Sequence, residues 1–354
     1  MSLSNGTVGE SDRPSVTVIM PIRNEATFIE RSLGAVLAQD YPADQLEVLI
    51  ADGMSRDGTR EIVARMAEAH PRIAVAVVDN PGNTVPTGFN RALARARGEV
   101  VVRVDGHCII GPEYVSKCVA ALRASGAENV GGRIEHLGEG NIGRAIARAR
   151  GSRFAGGSRY NYSDREEWVE TVYLGTWPRR VFESIGGFDE EQVRNQDDEF
   201  NYRLRSRGGK ILLVPHIVST CYTRSTFGSL WRQYYEYGYW KVRVMQKHPR
   251  QMRPRQFVPP AFVASLVISL LAAPLWTVGA WSLGLTAASY TAVNLAASWR
   301  GTRGEPWGAR LLVPVAYAVL HVAWGTGFLV GLVRFAGRWR DRANRWPTHL
   351  AVPV

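Results

Sequence analysis

Four short β-branched runs alternate with helix-period stretches over the first hundred residues. Ser15 to Met20 alternates with a period of two, as a half-buried strand does. Ala26 to Gln39 then places Phe28, Ile29, Leu33, Val36 and Leu37 at helical spacing. Leu46 to Ala51, Ile73 to Val78 and Val100 to Val104 read as further strands. Helices over Arg60 to Ala69 and Gly88 to Arg97 separate them, the second preceded by a Gly/Pro loop from Asn80 to Thr87. Strand and helix in strict alternation imply βαβ units and a mainly parallel, Rossmann-like α/β sheet. Ligands of such sheets bind beyond the carboxyl ends of the strands. Glu25, Asp52, Asp57 and Asp105 all fall there, and carboxylates so gathered repel one another unless a metal, an arginine or a base-edge N–H lies between them.

The pattern changes in the last third. Val258 to Ser298 runs some forty residues without a charge, long enough for two spanning helices joined near Gly279-Ala280. Leu311 to Val333 makes a third apolar segment, whose one titratable residue, His321, should face protein rather than lipid. Positive-inside reasoning puts both the loop at Arg300, Arg303 and Arg310 and the tail at Arg334 to Arg345 on the cytoplasmic side. Three full spans would separate them; a last segment that is re-entrant or interfacial would not. Three spans are the expectation. The implied organisation is a flexible N-terminus (1–14), an α/β catalytic domain (15–240), a basic juxtamembrane segment (241–256), a transmembrane region of two to three helices (257–336) and a basic tail (337–354).

Charge adds one point to this picture. The net charge of +11 is carried almost wholly by arginine, so its placement says more than its total. Lys241 to Gln256 holds six Lys/Arg residues and no acid directly before the apolar run, which suits anionic membrane lipid better than nucleic acid. Cys108, Cys118 and Cys221 have no metal or disulfide spacing and are expected to be small core residues in a reducing compartment. The N-terminal stretch has no signal-peptide pattern, so the soluble part is expected in the cytoplasm, at the inner membrane.

No glycine-rich dinucleotide fingerprint follows the first strand and no Walker A sequence is present, which argues against a Rossmann dehydrogenase or a P-loop enzyme. Five stretches do form a pattern: Pro21-Ile22-Arg23-Asn24-Glu25, the segment from Ala51 to Thr59, Val104-Asp105-Gly106-His107, the segment from Gly175 to Glu190 with Gln196 to Leu204, and Trp231 to Lys241. In this order they resemble the inverting family-two glycosyltransferases of the GT-A fold, and in particular the membrane enzymes of succinoglycan-type exopolysaccharide synthesis.

The resemblance implies a chemistry. Sugar transfer from a nucleotide diphosphate needs positive charge at the leaving diphosphate and a base at the attacking hydroxyl. Asp105 and His107 match the family's metal-binding Asp-x-Asp position, with His in place of the second Asp, and so imply a divalent cation, Mn²⁺ or Mg²⁺. Pro21, Arg23, Glu25 and Asp52 match donor-binding positions, Asp52 toward a uracil ring; the expected donor is therefore a UDP-hexose. Asp57 is a further donor candidate that equally suits a helix N-cap. Asn90 matches a donor-side asparagine, and Arg103 is placed to supply charge near Asp105. Aligning Gln196 to Arg203 on Arg203 makes Asp197 the general base, with Asp198 the shifted alternative and Glu199 the second acid of the motif.

Arg232 and Gln233 correspond to a closing motif on the diphosphate. The acceptor, a lipid-linked saccharide, is expected along Gly175, Thr176 and Trp177 and against Trp231 or Trp240. The aromatic and arginine residues of Trp231 to Lys241 suit a membrane-interface helix equally well. Gly140 to Tyr160, with five arginines, reads as a surface helix leading to a loop at Gly156-Gly157, or as a lipid-facing one. The alternative to an enzyme is a non-catalytic, membrane-anchored sugar-nucleotide-binding or scaffold protein of the same fold.

Overall fold

The computed structural model describes residues 13–340, so most of the expected flexible N-terminus and of the basic tail lies outside the described residues. Strands β1 (Val16–Ile22), β2 (Leu46–Asp52), β3 (Ala74–Asp79) and β4 (Val100–Arg103) pair in parallel. Helices α1 (Ile29–Leu37), α2 (Thr59–Ala69) and α3 (Val85–Leu93) connect them. Side chains of β1 divide by the strand period: Val16, Val18, Met20 and Ile22 enter one core, Ile19 the other. The helix expected from Gly88 begins at Val85, because Thr84 and Thr87 form a reciprocal cap and Pro86 is tolerated in a first turn.

The rest of the sheet is mixed. Its strands are β5 (Cys108–Ile110), β6 (Asn129–Leu137), β8 (Thr176–Pro178) and β9 (Ile211–Tyr222), with β7 (Glu167–Trp168) paired onto β9. The order across the sheet is β3-β2-β1-β4-β8-β6-β9-β5. β8 is antiparallel to both β4 and β6, and β5 is antiparallel to β9. Helices α4 (Tyr114–Ser125), α5 (Gly140–Arg150), α6 (Arg180–Ile185), α7 (Gln196–Ser206) and α8 (Phe227–Lys247) complete the domain.

The β5–β9 pairing corrects the reading of the cysteines. It sets Cys108 directly opposite Cys221, with Cα atoms 4.3 Å apart, and the two form a disulfide; Cys118 is buried and free. A separation of 113 residues hides this pairing from any spacing rule. Closing so long a loop is expected to stabilise the fold by roughly 2–4 kcal/mol. The melting temperature of the detergent-solubilised protein should fall by several degrees in dithiothreitol, and the Cys108→Ser/Cys221→Ser variant should melt at the lower value with or without reductant. Equal melting of oxidised wild type and variant would contradict this. In a reducing compartment the same pair would be two thiols, so its state in cells reports which compartment the domain occupies.

Three helices follow: α9 (Val258–Ala272), α10 (Thr277–Gly301) and α11 (Trp307–Arg334). Two apolar stretches, Pro254–Ala272 and Trp307–Arg334, are long enough to cross a membrane. The α9–α10 turn comes at Ala273 to Trp276, around Pro274, rather than at Gly279-Ala280. Gly279 is instead a packing glycine: a Cβ there would lie 2.6 Å from the Ala272 carbonyl carbon. The third helix does not stand apart in lipid. Its first half packs on α5 through Val313, Ala316 and Tyr317, and its second half packs on α8. Gly238 and Gly327 let the two backbones touch, since a Cβ on either would meet a backbone oxygen of the facing helix at 2.0 Å.

Candidate active site

A cavity of about 1000 Å³ opens at the carboxyl ends of β1 and β4 and runs past the start of α7 and one face of α8 to the start of α9 and the middle of α11. Pro21, Arg23 and Glu25 line its β1 side, with Arg103, Asp105 and His107 beside them. Arg103 ends β4 and Asp105 and His107 follow in the turn; the first two are largely buried at the cavity wall. Arg103 grips Asp105 with two hydrogen bonds, 2.8 and 3.2 Å, and the Tyr173 hydroxyl donates to the same carboxylate at 2.9 Å. Burial alone would raise the Asp105 carboxyl, but the charge of Arg103, the neighbouring His107 and these hydrogen bonds outweigh it and hold the group below its ordinary range. His107 Nδ1 lies 3.2 Å from Glu25 Oε1.

Asp197 and Asp198 face the cavity from the first turn of α7. They differ in partnership. Asp198 accepts from the buried Lys241 ammonium at 2.6 Å. Asp197 has no salt-bridge or side-chain hydrogen-bond partner among the described residues, and its carboxyl is pushed up, first by burial and then by the charge of Asp198, with Arg103 opposing. An unpaired carboxylate with a raised proton affinity is what a general base requires. Asn195, at a φ of 61°, caps the turn and ties it to α8 by donating to the Tyr237 carbonyl. Glu199 does not face the cavity. It is fully buried against Arg203 and His248, while Arg203 also donates to the carbonyls of Ile185 and Gly187. This motif acid locks α7 in place.

Several expected site residues lie elsewhere. Asp52 is buried, with one oxygen accepting from Arg60 at 2.5 Å and from the Ser55 N–H at 3.0 Å, and it forms no part of the cavity wall. Asp57 accepts from the Thr59 and Ala26 amides, the capping role that its sequence context also allowed. Asn90 is a buried clip: it donates to the Phe188 carbonyl and Glu190 and accepts from the Phe188 N–H. Thr176 is buried in β8, next to Gly175, where Trp177 Cζ2 lies 2.3 Å from the position a Cβ would take. Trp177 itself packs among Phe89, Phe182, Phe188 and Phe200. These three are core residues rather than an acceptor platform. On α8 the cavity face is Ser229, Gln233, Tyr237 and Lys241, one turn apart each, with Tyr234 beside them. Of the expected pair only Gln233 reaches the cavity; Arg232 and Trp231 point out to solvent, and Trp240 packs on Tyr239 and Phe335. Sequence reasoning missed Tyr160, Tyr173, Tyr237 and Lys241, the last two legible in the four-residue spacing just given.

Residues for a divalent cation can be tested against this geometry. Among the described residues no three His, Cys, Asp or Glu side chains converge on one point. Asp105 and His107 do supply a carboxylate held in its ionised form and a half-exposed imidazole, the hard and borderline donors that suit Mn²⁺ or Mg²⁺ when substrate oxygens complete the shell.

Comparison with known proteins agrees with this architecture. Residues 17–185 match the model of Glycosyl transferase family 2. The chain is 31% identical over 237 residues to the Succinoglycan biosynthesis protein ExoA of Rhizobium meliloti (strain 1021), covering 66% of this chain and 71% of that one. It is 28% identical over 239 residues to the Dolichyl N-acetyl-alpha-D-glucosaminyl phosphate 3-beta-D-2,3-diacetamido-2,3-dideoxy-beta-D-glucuronosyltransferase of Methanococcus voltae, covering 66% of this chain and 74% of that one. A mannosyltransferase structure from Pyrobaculum calidifontis, in complex with GDP-Man and Mn²⁺, superposes with a TM-score of 0.54 at 23% identity over 94% of this chain and 89% of that one, which shows the GT-A fold. On the likeness to the succinoglycan protein and the family model together, the chain belongs to glycosyl transferase family 2.

Proposed function

We propose that this protein transfers a hexose from a nucleotide sugar to a lipid-linked saccharide at a membrane surface, with inversion at C1. The observation that carries the reading is Asp197, an unpaired carboxylate of raised proton affinity in the same cavity as the Arg103, Asp105 and His107 cluster. Asp197 takes the proton from the acceptor hydroxyl as that hydroxyl attacks C1. Arg103, fixed by Asp105, presents its charge to the diphosphate as the sugar leaves. Asp105 and His107 would hold a divalent cation, Mn²⁺ or Mg²⁺; when bound it supplies further positive charge at the diphosphate. Inversion needs one base and one displacement, and Lys241 keeps the neighbouring Asp198 engaged.

The membrane belongs to the same reading. α9 and α10 expose Ile268, Leu271, Leu275, Val278 and Trp281 to the outside, an apolar surface that suits hydrocarbon. The family members it resembles act in exopolysaccharide and cell-envelope glycan synthesis, and the proposed location is the cytoplasmic face of the inner membrane.

The test is transfer or hydrolysis in detergent with a panel of UDP- and GDP-sugars, in Mn²⁺, in Mg²⁺ and in EDTA. Both nucleotides belong in the panel because Asp52, the reason for expecting uridine, is engaged by Arg60. Release of nucleoside diphosphate that depends on a divalent cation and on one sugar nucleotide is the expected result. Failure to bind any nucleotide would overturn the reading, and tight binding with no turnover on any acceptor would favour a non-catalytic binding protein.

A further inference from the structure

The cavity holds more positive charge than its carboxylates neutralise: Arg23 and Arg224, both exposed, and Arg205 line it without a carboxylate partner among the described residues, and so does Arg150, the one of the four whose own helix packs on α11. Arg103 pairs with Asp105, Lys241 with Asp198, Arg194 with Glu236 and Arg255 with Glu170. Arg150, at the end of α5, lines the cavity and has no carboxylate partner among the described residues. Four phenols, Tyr160, Tyr173, Tyr234 and Tyr237, line the same cavity, and Tyr234 is hydrogen-bonded to the Arg150 guanidinium. His136, close by, adds no charge: burial first, and then the Arg150 guanidinium, push it down to about 3. A partly buried guanidinium in a cavity that phenol hydroxyls also line is an arrangement for an anion with several oxygens.

Its position along the cavity says which anion. Tyr160 lines the cavity together with Arg150 and the Asp197–Asp198 pair. On the other side, the chain after Arg150 meets α11: Tyr317 donates to Ser152 Oγ, and His321 contacts the Phe154 carbonyl. The wall there is made by Pro259, Leu320 and Trp324 of the apolar helices. The cavity thus offers a base, phenols, a guanidinium next to the apolar helices and the helices themselves, a match for the hydroxyl, sugar, phosphate and hydrocarbon chain of a lipid-linked saccharide. The donor's diphosphate has its own cations at the β4 end, with Tyr173 standing between, its hydroxyl on Asp105.

We propose that Arg150 and its tyrosines form a second anion subsite, for the phosphate that joins the acceptor's sugar to its lipid. The proposal rests on the lipid-linked acceptor of the preceding section. It is tested on the full chain in phosphatidylcholine nanodiscs, with a polyprenyl diphosphate as the probe, and with inorganic pyrophosphate and phosphatidylglycerol as competitors. Wild type, Arg150→Met, Arg150→Lys and Tyr234→Phe are compared, and nucleotide affinity is measured on the same samples.

Arg150→Met is expected to weaken the polyprenyl diphosphate at least tenfold, and Tyr234→Phe severalfold. Arg150→Lys should fall between wild type and the methionine variant, and the nucleotide should bind all four alike. Unchanged probe affinity in Arg150→Met, or no probe binding to wild type, would overturn the subsite. Loss of nucleotide in Arg150→Met alone would place Arg150 in the donor site and also overturn it; Arg150→Lys separates this from misfolding. Displacement of the probe by phosphatidylglycerol as readily as by itself would mean a general headgroup site, again against the proposal. Displacement by pyrophosphate would confirm that the phosphates, rather than the chain, are held. Absence of nucleotide binding in every sample, with the probe still bound in an Arg150-dependent way, would sink the transferase reading and leave the subsite standing.

Discussion

Asp197→Asn is expected to lower kcat by roughly 10²–10⁴-fold while nucleotide affinity stays near that of wild type. The amide keeps the shape at the start of α7 and removes the group that takes the proton. Two further readouts separate a base from a merely structural acid. The raised proton affinity of Asp197 puts the acid limb of kcat/KM above the ordinary carboxylate range, because only the ionised form is a base. Asp198 contributes to that shift, so Asp198→Asn should move the limb to lower pH; Arg103 opposes it, so Arg103→Met should move the limb to higher pH.

The second readout is stability. A carboxyl whose folded pKa lies above its unfolded value favours the fold only while protonated, and that contribution is lost as pH rises through the folded pKa. At neutral pH the ionised Asp197 therefore works against folding, and Asp197→Asn should melt higher than wild type. The gain should vanish below the unfolded carboxylate range, near pH 4. A variant that melts lower at neutral pH, or retains wild-type kcat, would remove Asp197 from the base's role. Function and stability pull in opposite directions at this one side chain, as they do where an active site keeps a charge buried without a salt-bridge partner.

Much of the parallel half of the fold was legible, because its signals are local. β1, β2 and β4 are β-branched runs buried on both faces, and each ends in a polar loop that the strand's direction carries to one edge of the sheet. The other half was not, since β5, β6, β8 and β9 find one another across long separations; Cys108 meets Cys221 only through that topology. The same locality explains the site residues that went elsewhere. A polar residue at a strand end either faces ligand or satisfies the loop's own backbone, and sequence does not say which. Asp52 and Asp57 turned to Arg60 and to the α2 cap, and Asn90 to the loop at Phe188. Trp177 read as an acceptor surface because tryptophan serves sugars and cores alike; four phenylalanines from α3, α6, α7 and the loop between the last two close around it. Glu199 matches its motif, yet its carboxylate serves Arg203 and His248. The expected residues that did converge, Pro21, Arg23, Glu25, Arg103, Asp105, His107, Asp197, Asp198 and Gln233, all line the same cavity.

Cysteines placed at Arg303 and Gly337 are expected to react with a membrane-impermeant thiol reagent from the same face of the membrane, the face that also labels a cysteine at Glu68 on α2. Three full spans would put the two positions on opposite faces. The N-terminal end of α11 is tied to the catalytic domain through the Arg148–Glu305 ion pair at 2.7 Å and the Tyr317 hydrogen bond to Ser152. Its C-terminal end is tied through Gln246, which donates to the Phe335 carbonyl at 2.7 Å. α8, on which that end lies, is itself a catalytic-domain helix, joined to the α7 region by Lys241–Asp198, Arg243–Glu191 and Lys247–Asp189. A helix of 28 residues is about 42 Å long, more than the hydrocarbon core of a bilayer. For α11 to cross, α5 and α8 and their charges would have to enter the membrane with it, at a cost of several kcal/mol for each buried charge. Lying along the interface avoids this: its outer face, with Leu311, Val315, Val330 and Val333, meets lipid while its inner face stays on the domain. The α9–α10 hairpin then enters and returns, and both basic segments stay on one side, as the positive-inside rule asks. Labelling of the Gly337 cysteine only from the face opposite Arg303 would mean that α11 crosses, and that the domain helices packed on it are part of the membrane region.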